Sequence, residues 1–138
     1  MRPDPTGPQR VGVGDRIRVA VVGVCASGKS LLVKALAEAG YDAHGCAQEH
    51  SHVPIMWRRL ADPEVLICLD ADLSAVRRRT SARWTAEELR EQRRRLRNAC
   101  CSCDLYLHTD AISAEEVRRR VLGFLELWGE AHGRKALP

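Results

Sequence analysis

The sequence is short of aromatic residues: three tryptophans, two tyrosines and one phenylalanine in 138 residues. Its core must therefore be filled by Leu, Val, Ile and Ala. It lacks any apolar run near the ~20 residues that a membrane-spanning helix requires. No segment repeats at a fixed period, which excludes a solenoid or propeller. No secretory leader is recognisable, because Met1 to Gln9 holds Pro3, Pro5 and Pro8 and no apolar stretch. The chain is accordingly expected in the cytoplasm, with no membrane partner. Thiols stay reduced there, so the six cysteines are read as free thiols or ligands rather than a disulfide framework.

A strong excess of charge of one sign is also lacking. Lys+Arg 22 against Asp+Glu 18 leaves +4, which does not by itself argue for nucleic acid. The arginine-rich stretch Arg90–Arg97 has Glu87, Glu88 and Glu91 interleaved with it, the pattern of a salt-bridged surface helix. A nucleic-acid partner is not expected. With 45% hydrophobic and 29% charged residues, the composition is that of a globular domain. The expected organisation is a flexible leader over 1–15, a single domain over 16–128 and a flexible tail over 129–138.

Strand and helix signals alternate. Ile17–Val22 is a β-branched apolar run that ends in a glycine, as a buried strand would. Lys29–Ala39 follows as a helix with Leu31, Leu32, Ala35 and Leu36 on one face and Gly40 as its stop. Tyr41–Ala47 reads as a weaker strand, and Pro54 opens a short helix over Ile55–Leu60. Val65–Leu69 is the third strand and Leu73–Arg83 a helix. Thr85 with Glu88 forms a capping box for a long helix to about Ala99. Asp104–His108 is the fourth strand, and Ser113 with Glu116 a second box, opening a last helix through Trp128. This alternation predicts an α/β fold: a three-layer α/β/α domain with a mostly parallel sheet of four to five strands.

Between the first strand and first helix lies Gly23-Val24-Cys25-Ala26-Ser27-Gly28-Lys29-Ser30, with the spacing Gly-x4-Gly-Lys-Ser of a Walker A phosphate loop. Gly23 and Gly28 let the backbone curl towards phosphates with no Cβ in the way. The loop amides and the helix N-terminus would form an anion nest. The residues expected to hold a nucleoside triphosphate are Gly23, Ala26, Ser27, Gly28, Lys29, Ser30 and Leu31. Lys29 would reach the β- and γ-phosphates and Ser30 would ligate Mg²⁺. Lys29→Ala is expected to abolish triphosphate binding and leave the fold intact.

Other side chains admit two readings each. Glu49 follows the second strand, where ligands collect in such sheets. It could serve Mg²⁺ or act as general base, or its loop could merely cap the helix near Pro54. His50 could shuttle a proton. Asp70 ends the third strand, where a metal-binding carboxylate could sit, or it caps the next helix, with Asp72 the better cap. Cys100, Cys101 and Cys103 lack the second pair that a structural zinc site needs, and read as packing at a helix end. Trp57 reads as core, and Trp84 remains open.

Three stretches resemble the adenylate-kinase-like group of P-loop nucleoside and nucleotide kinases: the phosphate loop, Val65–Arg79 with its Leu69-Asp70 strand end, and Cys103–Asp110 with the helix after it. Together they cover most of 16–128. The resemblance implies a P-loop NTPase fold and lid arginines on the transferring phosphate, for which Arg77, Arg78, Arg79 and Arg83 are candidates. With these arginines added to the residues read from the loop and the strand ends, the expected catalytic set is Lys29, Glu49, Arg79 and Arg83, with Ser30, Asp70 and Glu49 towards the metal. The chain departs from the group where the acceptor site usually lies, in the short segment between the second and third strands.

Two functions follow as expectations. One is a minimal kinase that moves a phosphoryl group from ATP·Mg²⁺ to an unidentified small molecule. The other is a nucleotide-dependent switch or regulatory ATPase without such an acceptor. A second copy of the chain could complete the site in a homodimer. No Asn-Lys-x-Asp signature for guanine is present, which favours ATP.

Overall fold

The computed structural model describes residues 16–80 and 83–134, so the 1–15 leader, Ser81, Ala82 and 135–138 lie outside the described residues. The elements are β1 (Arg18–Gly23), α1 (Lys29–Glu38), β2 (Asp42–Gly45), a 3-10 turn (Gln48–His50), α2 (Met56–Ala61), β3 (Val65–Asp70), α3 (Leu73–Thr80), α4 (Ala86–Ser102), β4 (Leu105–His108) and α5 (Ala114–Ala131). Four strands, all parallel, run in the order β2-β1-β3-β4.

The two central strands are buried on both faces, which is why they read as unbroken apolar runs. Val19, Val21, Val65, Ile67 and Leu69 face one layer and pack with Leu32 and Leu36 of α1 and Val117, Val121 and Leu125 of α5. Ala20, Val22, Leu66 and Cys68 face the other way, onto Trp57 of α2, Ala75 and Val76 of α3, and Leu89, Leu96 and Ala99 of α4. Helices thus cover both faces, an arrangement compatible with three layers.

Helix ends follow the local chemistry. Gly40 adopts φ 98°, and the Gly40 and Tyr41 amides bond Ala37 O and Leu36 O, the double closure that a left-handed glycine permits. At α4, the Thr85 hydroxyl accepts from Glu88 N, and the Glu88 carboxylate accepts from Thr85 N, completing the expected box. At α5 only half of the box forms. Ser113 Oγ accepts from Glu116 N, but the Glu116 carboxylate is drawn to Arg119 and Arg120.

Some boundaries differ from expectation. α3 is described as far as Thr80, and Arg83 lies outside any helix, exposed. α5 continues past Trp128 to Ala131, and Arg134 N then folds back to Gly129 O. Arg134 also pairs with Glu64, so 129–134 is anchored. On α4, Arg94 and Arg95 pair with Glu91, as a salt-bridged face does. No helix among the described residues is long and apolar enough to cross a membrane.

From β1 the chain turns out to β2, then crosses back to β3 on the other side of β1. Ligands of open parallel sheets lie beyond the strands' carboxyl ends at such a reversal. The residues after Gly23, Gly45, Asp70 and His108 share that edge.

Candidate functional site

The loop from Gly23 to Gly28 leaves β1 at the reversal point. Gly23 is required by its neighbours: a Cβ there would lie 2.4 Å from Leu69 O and 2.6 Å from Ser27 Oγ. That reason differs from the close approach of a ligand that the spacing suggested. Gly28 takes φ 102°, which glycine adopts freely. Ala26 takes φ 60°, at a steric cost of about 1–2 kcal/mol. Arg79 Nη1 donates to Ala26 O at 2.8 Å and helps hold that conformation.

Gly28 opens α1 with no side-chain cap and no acidic residue in the first turn. The first amides of a helix have no intrahelical acceptor. The N-terminus of α1 therefore offers free donors beside the exposed Gly28 and Ser30. The Ser27 hydroxyl is buried without a hydrogen-bond partner.

Lys29 folds back under the loop. Its Nζ donates to Gly23 O at 2.7 Å, to Val24 O at 3.3 Å and to Glu49 Oε2 at 2.7 Å. Glu49 is only 3% exposed, and its other oxygen, Oε1, is buried with no partner. His50 Nε2 lies 3.7 Å from Glu49 Oε2 and 3.6 Å from Cys25 Sγ. The loop that holds Glu49 does serve the start of α2, through Gln48, whose Oε1 accepts from Trp57 N at 2.9 Å. Trp57 itself is core, as expected.

Of the arginines after β3, Arg79 reaches the loop. Besides Ala26 O, it donates to Thr109 Oγ1 and Thr109 O. Arg77 is turned to Trp84 O instead. Arg83 makes no hydrogen bond to the loop. Asp70 is not joined to Lys29, Ser30 or Glu49 by any hydrogen bond or ion pair. Its carboxylate accepts from Ala71 N at 2.8 Å, from Arg93 Nε at 3.2 Å and from the Tyr106 hydroxyl. Burial, then that carboxylate, pushes the Tyr106 phenol up. Asp72 serves His108 and Arg93 with its carboxylate rather than the amides of α3.

Two residues at this edge went unnoticed in the sequence. Thr109, 2% exposed, donates its hydroxyl to Ser27 O at 3.1 Å and stitches β4 to the loop. It directly follows a strand, which is the signal that could have found it. Gln92 accepts from Cys25 N at 2.9 Å and donates to Cys25 Sγ at 3.2 Å. It stands in phase with Leu89, Leu96 and Ala99, a lone polar residue on a buried helical stripe.

A cavity of about 610 Å³ opens beside the loop, between α1 and the start of α5. Leu31, Leu32, Ala35, Ile112 and Val117 give it apolar walls, and Ser27, Gly28, Arg79 and Thr109 line the loop end. Leu31, 65% exposed, is an apolar side chain in a position that a bound group would cover. A second cavity of about 450 Å³ lies between His50 and the start of α4, with Trp84, Glu87, Glu91, Gln92 and Arg95. Cys100, Cys101 and Cys103 do not converge with His108, which is taken by Asp72 and Asp110. Compared with known proteins, the chain matches no family model and no curated sequence.

Proposed function

We propose that this chain is a nucleoside-triphosphate-binding protein of the P-loop type, and that it transfers a phosphoryl group from ATP to a small molecule. The observation that carries this is the uncapped start of α1 behind the Gly23–Gly28 turn, with Lys29 and the orphaned Ser27 hydroxyl beside it. Free amides, a hydroxyl and an ammonium at one helix N-terminus suit a polyphosphate. Lys29 need give up only its longest bond, to Val24 O, to turn a proton towards an anion.

The cavity beside the loop is of the size of ligand sites in general and suits a base and ribose, with apolar walls and polar groups at one end. Arg79, tied to the loop and to Thr109, is placed to meet negative charge on the terminal phosphate. Arg83 is left out of this set, and so is Asp70, whose carboxylate is taken by Arg93 and Tyr106. Ser30 and Glu49 would hold Mg²⁺, since both offer hard oxygen donors and Glu49 Oε1 has no partner. When bound, the ion would supply neutralisation of phosphate charge. The cavity beyond His50 is then the place for an acceptor. Catalysis would rest on positioning and electrostatics.

The test is ADP release from ATP and Mg²⁺ with a panel of nucleosides, nucleotides and sugars. Acceptor-stimulated release that Arg79→Met lowers is the expected result. No nucleotide binding under any condition would refute the proposal. Tight binding without acceptor-stimulated release would instead support a nucleotide-dependent switch. The short stretch between β2 and β3, a 3-10 turn and six-residue α2, is the feature that favours that second reading.

A further inference from the structure

The geometry points to a site for a zinc-class transition metal ion formed by Cys25, Glu49 and His50. Cys25 Sγ, a Glu49 carboxylate oxygen and a His50 ring nitrogen all lie within 4.8 Å of one another. With Zn–S near ~2.3 Å and Zn–N or Zn–O near ~2.0–2.1 Å, tetrahedral ligand atoms stand roughly 3.3–3.6 Å apart. The separations here are 3.6 Å from Cys25 Sγ to His50 Nε2 and 3.7 Å from His50 Nε2 to Glu49 Oε2. Two of the three separations are thus close to the spacing that a shared ion would impose, and the third, Cys25 Sγ to the Glu49 carboxylate, is within 4.8 Å.

A second, independent observation is the state of Glu49. Buried polar atoms almost always have partners, yet its Oε1 has none while Lys29 serves Oε2. Oε1 is the carboxylate oxygen still open to an ion, whereas the 3.7 Å approach of His50 is to Oε2, which Lys29 shares. The thiol is also prepared from behind, since Gln92 Nε2 donates to Cys25 Sγ at 3.2 Å, the kind of outer contact that orients metal ligands. Cys25 and His50 are both accessible to solvent, so an ion has a way in.

A set of one thiolate, one imidazole and one carboxylate suits zinc and disfavours Mg²⁺, which takes oxygen donors. Three protein ligands leave a fourth position for water or another oxygen. The ion would join the loop after β1 to the turn after β2. Because Glu49 is common to this site and to the proposed Mg²⁺–nucleotide site, zinc and Mg²⁺–nucleotide would compete for it. Metal binding itself is read without nucleotide, so its failure is separate from failure of the nucleotide proposal.

The test titrates the full chain, reduced, with Zn²⁺ against a chromophoric chelator and with Co²⁺ by absorption. The expected result is one equivalent with a thiolate-to-cobalt charge-transfer band. Cys25→Ser and His50→Ala should each weaken binding by more than the ~10–100-fold that an outer-shell change costs. Circular dichroism would confirm that both variants fold. Cys101→Ser, at an exposed cysteine outside the cluster, should leave the titration unchanged. Absence of the band in the parent chain, or its survival in folded Cys25→Ser, overturns the inference.

Discussion

Removing the Lys29 ammonium should cost stability as well as any ligand. Lys29 keeps 17% of its side-chain surface and Glu49 only 5%, at 2.7 Å from each other. Deleting one partner of a buried pair typically costs about 3–5 kcal/mol, because the other charge stays behind unpaired. Partial exposure of Lys29 places this pair at the lower end of that range, about 3 kcal/mol. For a chain of this length that corresponds to a fall in Tm of roughly 10 °C. The expectation that Lys29→Ala leaves the fold untouched is therefore replaced: the same lysine holds the loop carbonyls and the Glu49 charge. The assay is thermal or urea unfolding of Lys29→Met, Glu49→Gln and the double variant. Both singles should lose stability, and the double should recover most of the Lys29→Met loss, since no buried charge is then left alone. A coupling below about 0.5 kcal/mol, as for an exposed pair, would refute this reasoning.

Three further outcomes are expected. Leu36→Ala, at a fully buried site between α1 and the sheet, should cost about 2–5 kcal/mol in urea unfolding. Thr109→Val keeps the volume but removes the hydroxyl that joins Ser27, Asp70 and Arg79; it should cost about 1–3 kcal/mol, and Thr109→Ser should cost less. A hydrogen bond with His108 holds the Asp72 carboxyl below its ordinary 3.8. A lowered folded value gives stability that is present above 3.8 and lost as pH falls through that lower value. Acid unfolding of Asp72→Asn should lack this component, and identical acid limbs for the two proteins would count against it.

Much of the scaffold was legible because its signals are local. β-branched runs marked β1 and β3, and the loop spacing located the turn between β1 and α1. Gly40 and the Thr85–Glu88 box closed and opened helices where expected. What stayed hidden depends on competition for the same groups, often from partners distant in sequence. Ser113–Glu116 has the same pattern as Thr85–Glu88, but Arg119 and Arg120 compete for its carboxylate. Asp70 sits where a metal carboxylate could, yet Arg93 and Tyr106 take it up from other elements. Four arginines looked equivalent from Arg77 to Arg83. Helical phase after β3 then turns Arg79 to the loop and Arg77 to Trp84. Thr109 and Gln92 act through the fold's closure, and only the sheet order brings them to the phosphate-loop candidate.

The most direct measurement is equilibrium titration of the full chain with ATP and Mg²⁺ by calorimetry, beside the Lys29→Met/Glu49→Gln variant whose fold is first verified. Saturable one-site binding in the parent chain, lost in the folded double variant, is the predicted result. No binding in the parent chain, or equal affinity in the two, would contradict a triphosphate site at Gly23–Ser30.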